Sequence, residues 1–236
     1  MAAFSKKISV SSMLGLNFSR KGEKSQEAFD HVMQIAAEIA KVDSSGLFRL
    51  IKALLGPLQA EHLLAVAERG PHDAPPAIDG YSFFFDIGNV IEVSRCWLQP
   101  TPYMEVRLAT DVTLPTAWRR SGYVSALATI GEGKAQGAWT QDLNHRVSVW
   151  LPWRIAFVNG GNHSITAGIL GGEGVVAATE VMDISPIFDL VECDGKKYKR
   201  RETGEILAEV SDYRRAAVFE IGRLILSSLC RDSPQN

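Results

Sequence analysis

The sequence predicts an α+β protein, with an N-terminal helical unit followed by a mixed-sheet domain. Three observations carry this. Apolar residues recur at helical spacing through residues 25–70. β-branched and aromatic runs dominate from residue 81 to about 183, and two hairpin signals then lead into a last amphipathic stretch. The segment "GPHDAPPAIDG" at 70–80 concentrates proline, glycine and aspartate, so it marks the boundary between a helical unit at 25–70 and an α+β domain at 81–236.

The elements follow in order. Residues 1–24 read as a flexible arm. Ser25 suits a helix N-cap, with Gln26 and Glu27 favourable at the positive end of the dipole. Phe29, Val32, Met33, Ala36, Ala37 and Ala40 form one apolar stripe. "VDSSG" ends it, a second helix covers 47–55, and Gly56-Pro57 separates that from a third running to about residue 69. "YSFFFDIGNVIEV" and "YMEVRLATDVTL" read as strands, and 123–130 as a short helix stopped by Gly131. "HRVSVWLPWRIAFVNGG" supplies one or two strands interrupted by Pro152. A short helix at 165–170 and the β-branched run "GVVAATEVMDI" come next. "CDGKKY" and "RETGEI" are hairpin turns, and "SDYRRAAVFEIGRLILSSLC" is a helix capped by Ser211 or Asp212.

Composition narrows the function classes. With 46% hydrophobic and 22% charged residues the 236-residue chain can fill a core. No apolar run reaches the ~18 residues of a membrane span, and the N-terminus lacks a continuous apolar signal core, so no membrane partner is expected. Three dispersed cysteines, Cys96, Cys193 and Cys230, argue against a disulfide framework or a zinc cluster and for a cytoplasmic location. A net charge of −2 excludes a basic coat for nucleic acid and leaves room for local patches.

The candidate site is "FVNGGNHSITAGILGGEG" at 157–174. A strand running through glycines into a helix N-terminus makes an anion site. Glycine permits close backbone approach, and the first helical N–H groups lack intrahelical partners. Gly160, Gly161, Asn162, Ser164 and Thr166 would cradle a phosphate, and His163 would sit at the mouth as a charge partner or acid–base group. The same residues also suit a tight strand–helix connection with a capping Asn or Ser, and both readings stay open.

The turn and its surroundings resemble the ParB/sulfiredoxin superfamily, in which a strand leads into Gly-x-His-Arg or Gly-x-Arg-Arg, a helix with small residues, and another strand. "PTAWRRSGYVSALATIGEGKAQGAW" is similar to that family's N-terminal half, with Arg119 or Arg120 at its arginine position and Glu132 near an acidic one. The likeness covers about 112–183 and aligns Gly161, Asn162 and His163; Ser164 stands where the family carries arginine. The resemblance implies a small α/β core binding a nucleoside triphosphate, with Mg²⁺ where hydrolysis occurs, or a nucleic-acid phosphate. It implies a role in a DNA-linked process, as a nuclease or nucleotide hydrolase using His163. The alternative is a catalytically inactive ParB-like scaffold, a regulator or inhibitor docking a protein partner through its N-terminal helices. A serine hydroxyl has neither the fork nor the fixed charge of arginine, and Arg120, Arg146 or Arg154 would have to supply them. Asn162 stands where sulfiredoxin chemistry would need a cysteine, so that activity is set aside.

Four other groups could contribute to a site. His145-Arg146 would reach a ligand only by facing the same cleft as His163. The basic run Lys196, Lys197, Lys199, Arg200 and Arg201 around Tyr198 could touch phosphates and a base, or form a solvated hairpin balanced by nearby acids. Glu180, Asp183 and Asp189 lack metal-ligand spacing, and Trp150 and Trp153 read as core anchors or a pocket wall.

Overall fold

The computed structural model describes residues 10–69, 73, 75–98 and 104–232, with side chains described from Glu23 to Leu229. Residues 1–9 of the expected arm, part of the 70–80 boundary and the Cys230 side chain lie outside them. The chain is α+β, as its residue patterns predict.

Helix α1 (Val10–Val42) begins ahead of Ser25, so no cap is needed there. Its stripe faces inward: Phe29 and Ala36 are buried, and Val32, Met33 and Ala40 pack against the same core. Helix α2 (Gly46–Glu68) is continuous through Pro57, where a break was expected. Proline removes one N–H and crowds the carbonyl four residues back. Burial of Leu47, Ile51, Leu54, Leu55, Leu58, Leu63 and Val66 outweighs that local loss. By length and composition α2 could cross a membrane, yet these seven side chains are buried within the protein.

Strands β1 (Trp97–Leu98), β7 (Glu180–Asp183), β4 (Arg146–Leu151), β5 (Ile155–Gly160) and β3 (Thr113–Leu114) form a five-stranded mixed sheet in that spatial order. β4 and β5 are an antiparallel hairpin, whereas β3–β5 and β4–β7 run parallel. Strands β2 (Glu105–Arg107) and β6 (Val175–Ala177) pair separately, and β8 (Val191–Cys193), β9 (Lys197–Arg200) and β10 (Ile206–Glu209) form the predicted hairpins. "GVVAATEVMDI" is therefore two strands in different sheets.

Alternation along β5 sorts its side chains. Ile155 and Phe157 join the core under α1, α2 and α6 (Tyr213–Asp232), and Ala156 and Val158 join a second core under α4 (Asn162–Gly171). Asp212 caps α6 by accepting the Arg214 N–H at 2.8 Å. The run at 81–93 is not a strand but bends and single 3₁₀ turns. Phe83, Phe84 and Phe85 are all buried, a pattern that alternation forbids, and they plug an aromatic cluster with Phe157, Trp153, Tyr198 and Phe219.

The remaining helices are α3 (Arg120–Thr129), beside α4, and the single turn α5 (Ile187–Leu190). The segment 115–119, which precedes α3, brings a second wall to the end of β5.

Candidate functional site

β5 ends at Gly160, the chain turns through Gly161 at φ +75°, ψ +22°, and α4 starts at Asn162. A side chain on Gly161 would meet His145 Cδ2 at 2.4 Å, and one on Gly160 would meet the Asn144 carbonyl oxygen at 2.5 Å. The glycines are thus required by close packing as well as by a left-handed turn. No side chain among the described residues caps α4, so the N–H groups of its first turn stand at the positive end of the dipole.

That helix end opens on a cleft of about 560 Å³, lined by Asn159 to Ser164 on one side and by Trp118, Arg119 and Gly122 on the other. Two hydrogen bonds hold the walls together. Asn162 Oδ1 accepts the Thr116 N–H at 2.7 Å, and His163 Nε2 accepts the Arg119 N–H at 3.2 Å. Consecutive side chains at the start of α4 therefore clamp the segment that carries Trp118 and Arg119. Trp118 is 56% exposed despite its size. Its ring lies 5.7 Å from that of His163, and the Arg119 guanidinium stands 5.3 Å from the Trp118 ring centre.

Burial of the His163 ring, with the Arg119 guanidinium nearby, lowers its pKa below the ordinary histidine value. The ring is neutral at pH 7. With Nε2 accepting from Arg119, its proton sits on Nδ1, where it can donate to a ligand oxygen. This differs from the charged histidine that the turn suggested.

Ser164 faces the turn's interior. Its Oγ lies 2.6 Å from His145 Nε2 and donates to the Gly161 carbonyl at 3.0 Å. His145 Nδ1 accepts the Asp142 N–H at 2.8 Å, with the Asp142 carboxylate 3.0 Å away. The three side chains resemble a Ser-His-Asp relay, but the proton order runs backwards for one. The amide fills the Nδ1 lone pair, Nε2–H donates to Ser164, and Ser164 donates to a carbonyl, leaving no base to activate the hydroxyl. The trio staples the glycine turn to the loop before β4.

The other expected ligands are placed elsewhere. Thr166 is fully buried and donates to the Asn162 carbonyl at 2.8 Å. Arg120 opens α3 and does not line the cleft. Glu132 is exposed outside it, its amide donating to Glu173 Oε1 at 3.1 Å. Arg146 is exposed, with Nη2 3.4 Å from the Asn159 carbonyl oxygen. In the basic hairpin, Lys197, Lys199 and Arg200 are paired with Glu209, Asp194 and Glu205, and Tyr198 is buried. Asp183 accepts the N–H and Oγ of Ser185, and no group of metal-ligating side chains occurs among the described residues. Trp150 and Trp153 are buried.

The residue types did not point to Trp118 as a wall of the site or to Asn144 and Gln136, which share the cleft with Asn159 of the turn. The only signal for Trp118 was its place beside Arg119. A comparison with protein families matches residues 15–229 to DUF6710, described as a family of unknown function. No curated protein and no solved structure matches the chain.

Proposed function

The chain belongs to the DUF6710 family, and from the cleft itself we propose that it binds a nucleotide, free or within a nucleic-acid strand, between α4 and the 116–119 segment. The observation that carries this reading is the clamp. Asn162 and His163 hold an exposed tryptophan and an arginine with no ion-pair partner among the described residues at the N-terminus of α4. The helix end and Arg119 offer N–H donors and charge to phosphate, Trp118 offers a face to a base, and Gly160 and Gly161 line the same cleft. The resemblance of 112–183 to the ParB/sulfiredoxin superfamily supports the same assignment.

Binding is better supported than turnover. His163 Nε2 is occupied by an amide, Ser164 stands where the ParB/sulfiredoxin superfamily carries arginine and is held by His145, and no cation site adjoins the cleft among the described residues. A ParB-like core that binds without hydrolysing is therefore the form of the proposal. Hydrolysis would require His163 to release Arg119. The stripe of α1 that a docked protein partner would need packs against the chain's own core, with Phe29 and Ala36 buried and Val32, Met33 and Ala40 partly so.

The test is calorimetric titration with ATP, CTP, GTP, UTP and a short single-stranded DNA, with and without Mg²⁺. At least one nucleotide should bind, and Trp118→Ala should weaken it by roughly tenfold or more, since base–aromatic stacking contributes about 1–3 kcal/mol. No binding of any of the five at millimolar concentration, or binding indifferent to Trp118→Ala and Arg119→Gln, would overturn the reading.

A further inference from the structure

A second cleft, of about 600 Å³, lies at the opposite end of β5. Arg49 on α2, Arg107 on β2 and Arg154 in the β4–β5 turn line it, above a floor that includes the buried Val106, Val149 and Trp153. None of the three arginines has an ion-pair partner among the described residues. Arg49 acts on the Asp43 carboxylate only through space. Two carboxylates share the cleft. Asp111 is engaged, with one oxygen accepting the Arg107 N–H at 2.8 Å and the other lying 3.2 Å from Thr110 Oγ1; Glu105 is exposed. Lys52 donates to the carbonyls of Ala109 and Thr110 and so ties the turn after β2 to α2, which brings Arg49 and Arg107 to one opening.

Arg154 gives the independent observation. It has φ +59°, the only non-glycine residue with positive φ among the described residues. It closes the three-residue connection between β4 and β5, at the position where such hairpins take a left-handed residue, ordinarily glycine. Arginine there costs about 1 kcal/mol or more of backbone strain, and it brings a fourth cation to a lining that already holds Arg49, Lys52 and Arg107 beside the carboxylates of Glu105 and Asp111. The strain does not help folding. It is accounted for if the guanidinium is needed where it is.

We infer that Arg49, Arg107 and Arg154 form a binding site for a small polyanion with two or more adjacent phosphate or carboxylate groups, distinct from the Trp118 cleft. Three planar forks suit oxyanions that accept paired hydrogen bonds, and the concave apolar floor strengthens each contact relative to open surface.

The full chain carrying Arg119→Gln, which removes the charge of the first cleft, is titrated with phosphate, tripolyphosphate and citrate at fixed ionic strength. Tripolyphosphate or citrate, whichever class the site takes, should bind at least tenfold tighter than phosphate. Adding Arg154→Gly or Arg49→Gln should each weaken it tenfold or more. Arg154→Gly should at the same time hold or raise the urea midpoint, because glycine is at ease at that φ, so lost binding cannot be lost folding. Binding that survives both substitutions, or no binding of either polyanion at millimolar concentration, would overturn the inference. Neither outcome bears on the Trp118 cleft.

Discussion

Gly161 and Gly172 flank α4 with nearly the same left-handed backbone, φ +75° and +68°, but in different surroundings. A methyl group on Gly172 would meet open space, whereas one on Gly161 would meet the His145 ring. Gly172→Ala should therefore lower stability by about 1 kcal/mol, the backbone cost alone. Gly161→Ala should lower it by roughly 2–4 kcal/mol, through strain plus displacement of the ring that holds Ser164. Urea unfolding of the two variants checks the difference; equal losses would remove the packing role given to Gly161. His163 makes a second residue-scale prediction. Its folded pKa lies below the unfolded value of about 6.5, so the unfolded chain takes up the proton first as pH falls. The stability tied to the neutral ring is fully present above pH ~6.5 and is lost as pH falls from there through the folded pKa. His163→Gln should flatten that part of the stability–pH curve, and a slope identical to wild type would contradict the half-buried, neutral ring.

At the scale of elements, Pro57 shows where local rules were overridden. Gly56-Pro57 reads as a stop, yet α2 continues because its two halves share one buried face. Pro57 is exposed, so Pro57→Ala restores a helix N–H without touching the core. It should raise stability by roughly 1–3 kcal/mol, visible as a higher urea midpoint at unchanged slope. A lower midpoint would mean that the proline shapes a bend the packing needs. Elements whose signal is local were legible: strand on either side of Pro152 (though not its pairing as the β4–β5 hairpin), the glycine turn into α4, the β8–β9–β10 hairpins and the helix α6, with Asp212 of the two candidate caps. Residues 81–93 were not, because enrichment in phenylalanine speaks for burial and not for extension. Phe83, Phe84 and Phe85 satisfy burial on both sides of an irregular segment. The candidate site divides the same way. Its glycines announce themselves, but the bonds from Thr116 and Arg119 to residues more than forty positions later carry no sequence periodicity.

At the scale of the molecule, the N-terminal helices are part of the main core. Phe29 of α1 packs where a side chain on Gly195 would meet its ring at 2.6 Å, and Gln26 donates to the Asp194 carbonyl at 2.9 Å. α1 thus closes over the β8–β9 hairpin, and one apolar cluster runs from Phe29 through Leu55 and Phe157 to Ile225. Cys193 lies in that cluster, and burial pushes its thiol pKa up to about 12. A thiol so held does not react until the surrounding structure opens, so its labelling rate reads the opening free energy. Phe29→Ala should destabilise the fold by about 3 kcal/mol and, with rapid reclosing, speed labelling at Cys193 by about a hundredfold. Peptide mass mapping separates Cys193 from the other two thiols. If α1 belonged to a unit that opens on its own, the substitution would leave the Cys193 rate unchanged. A hundredfold increase requires instead that losing one α1 side chain be felt across the hairpin and under α6.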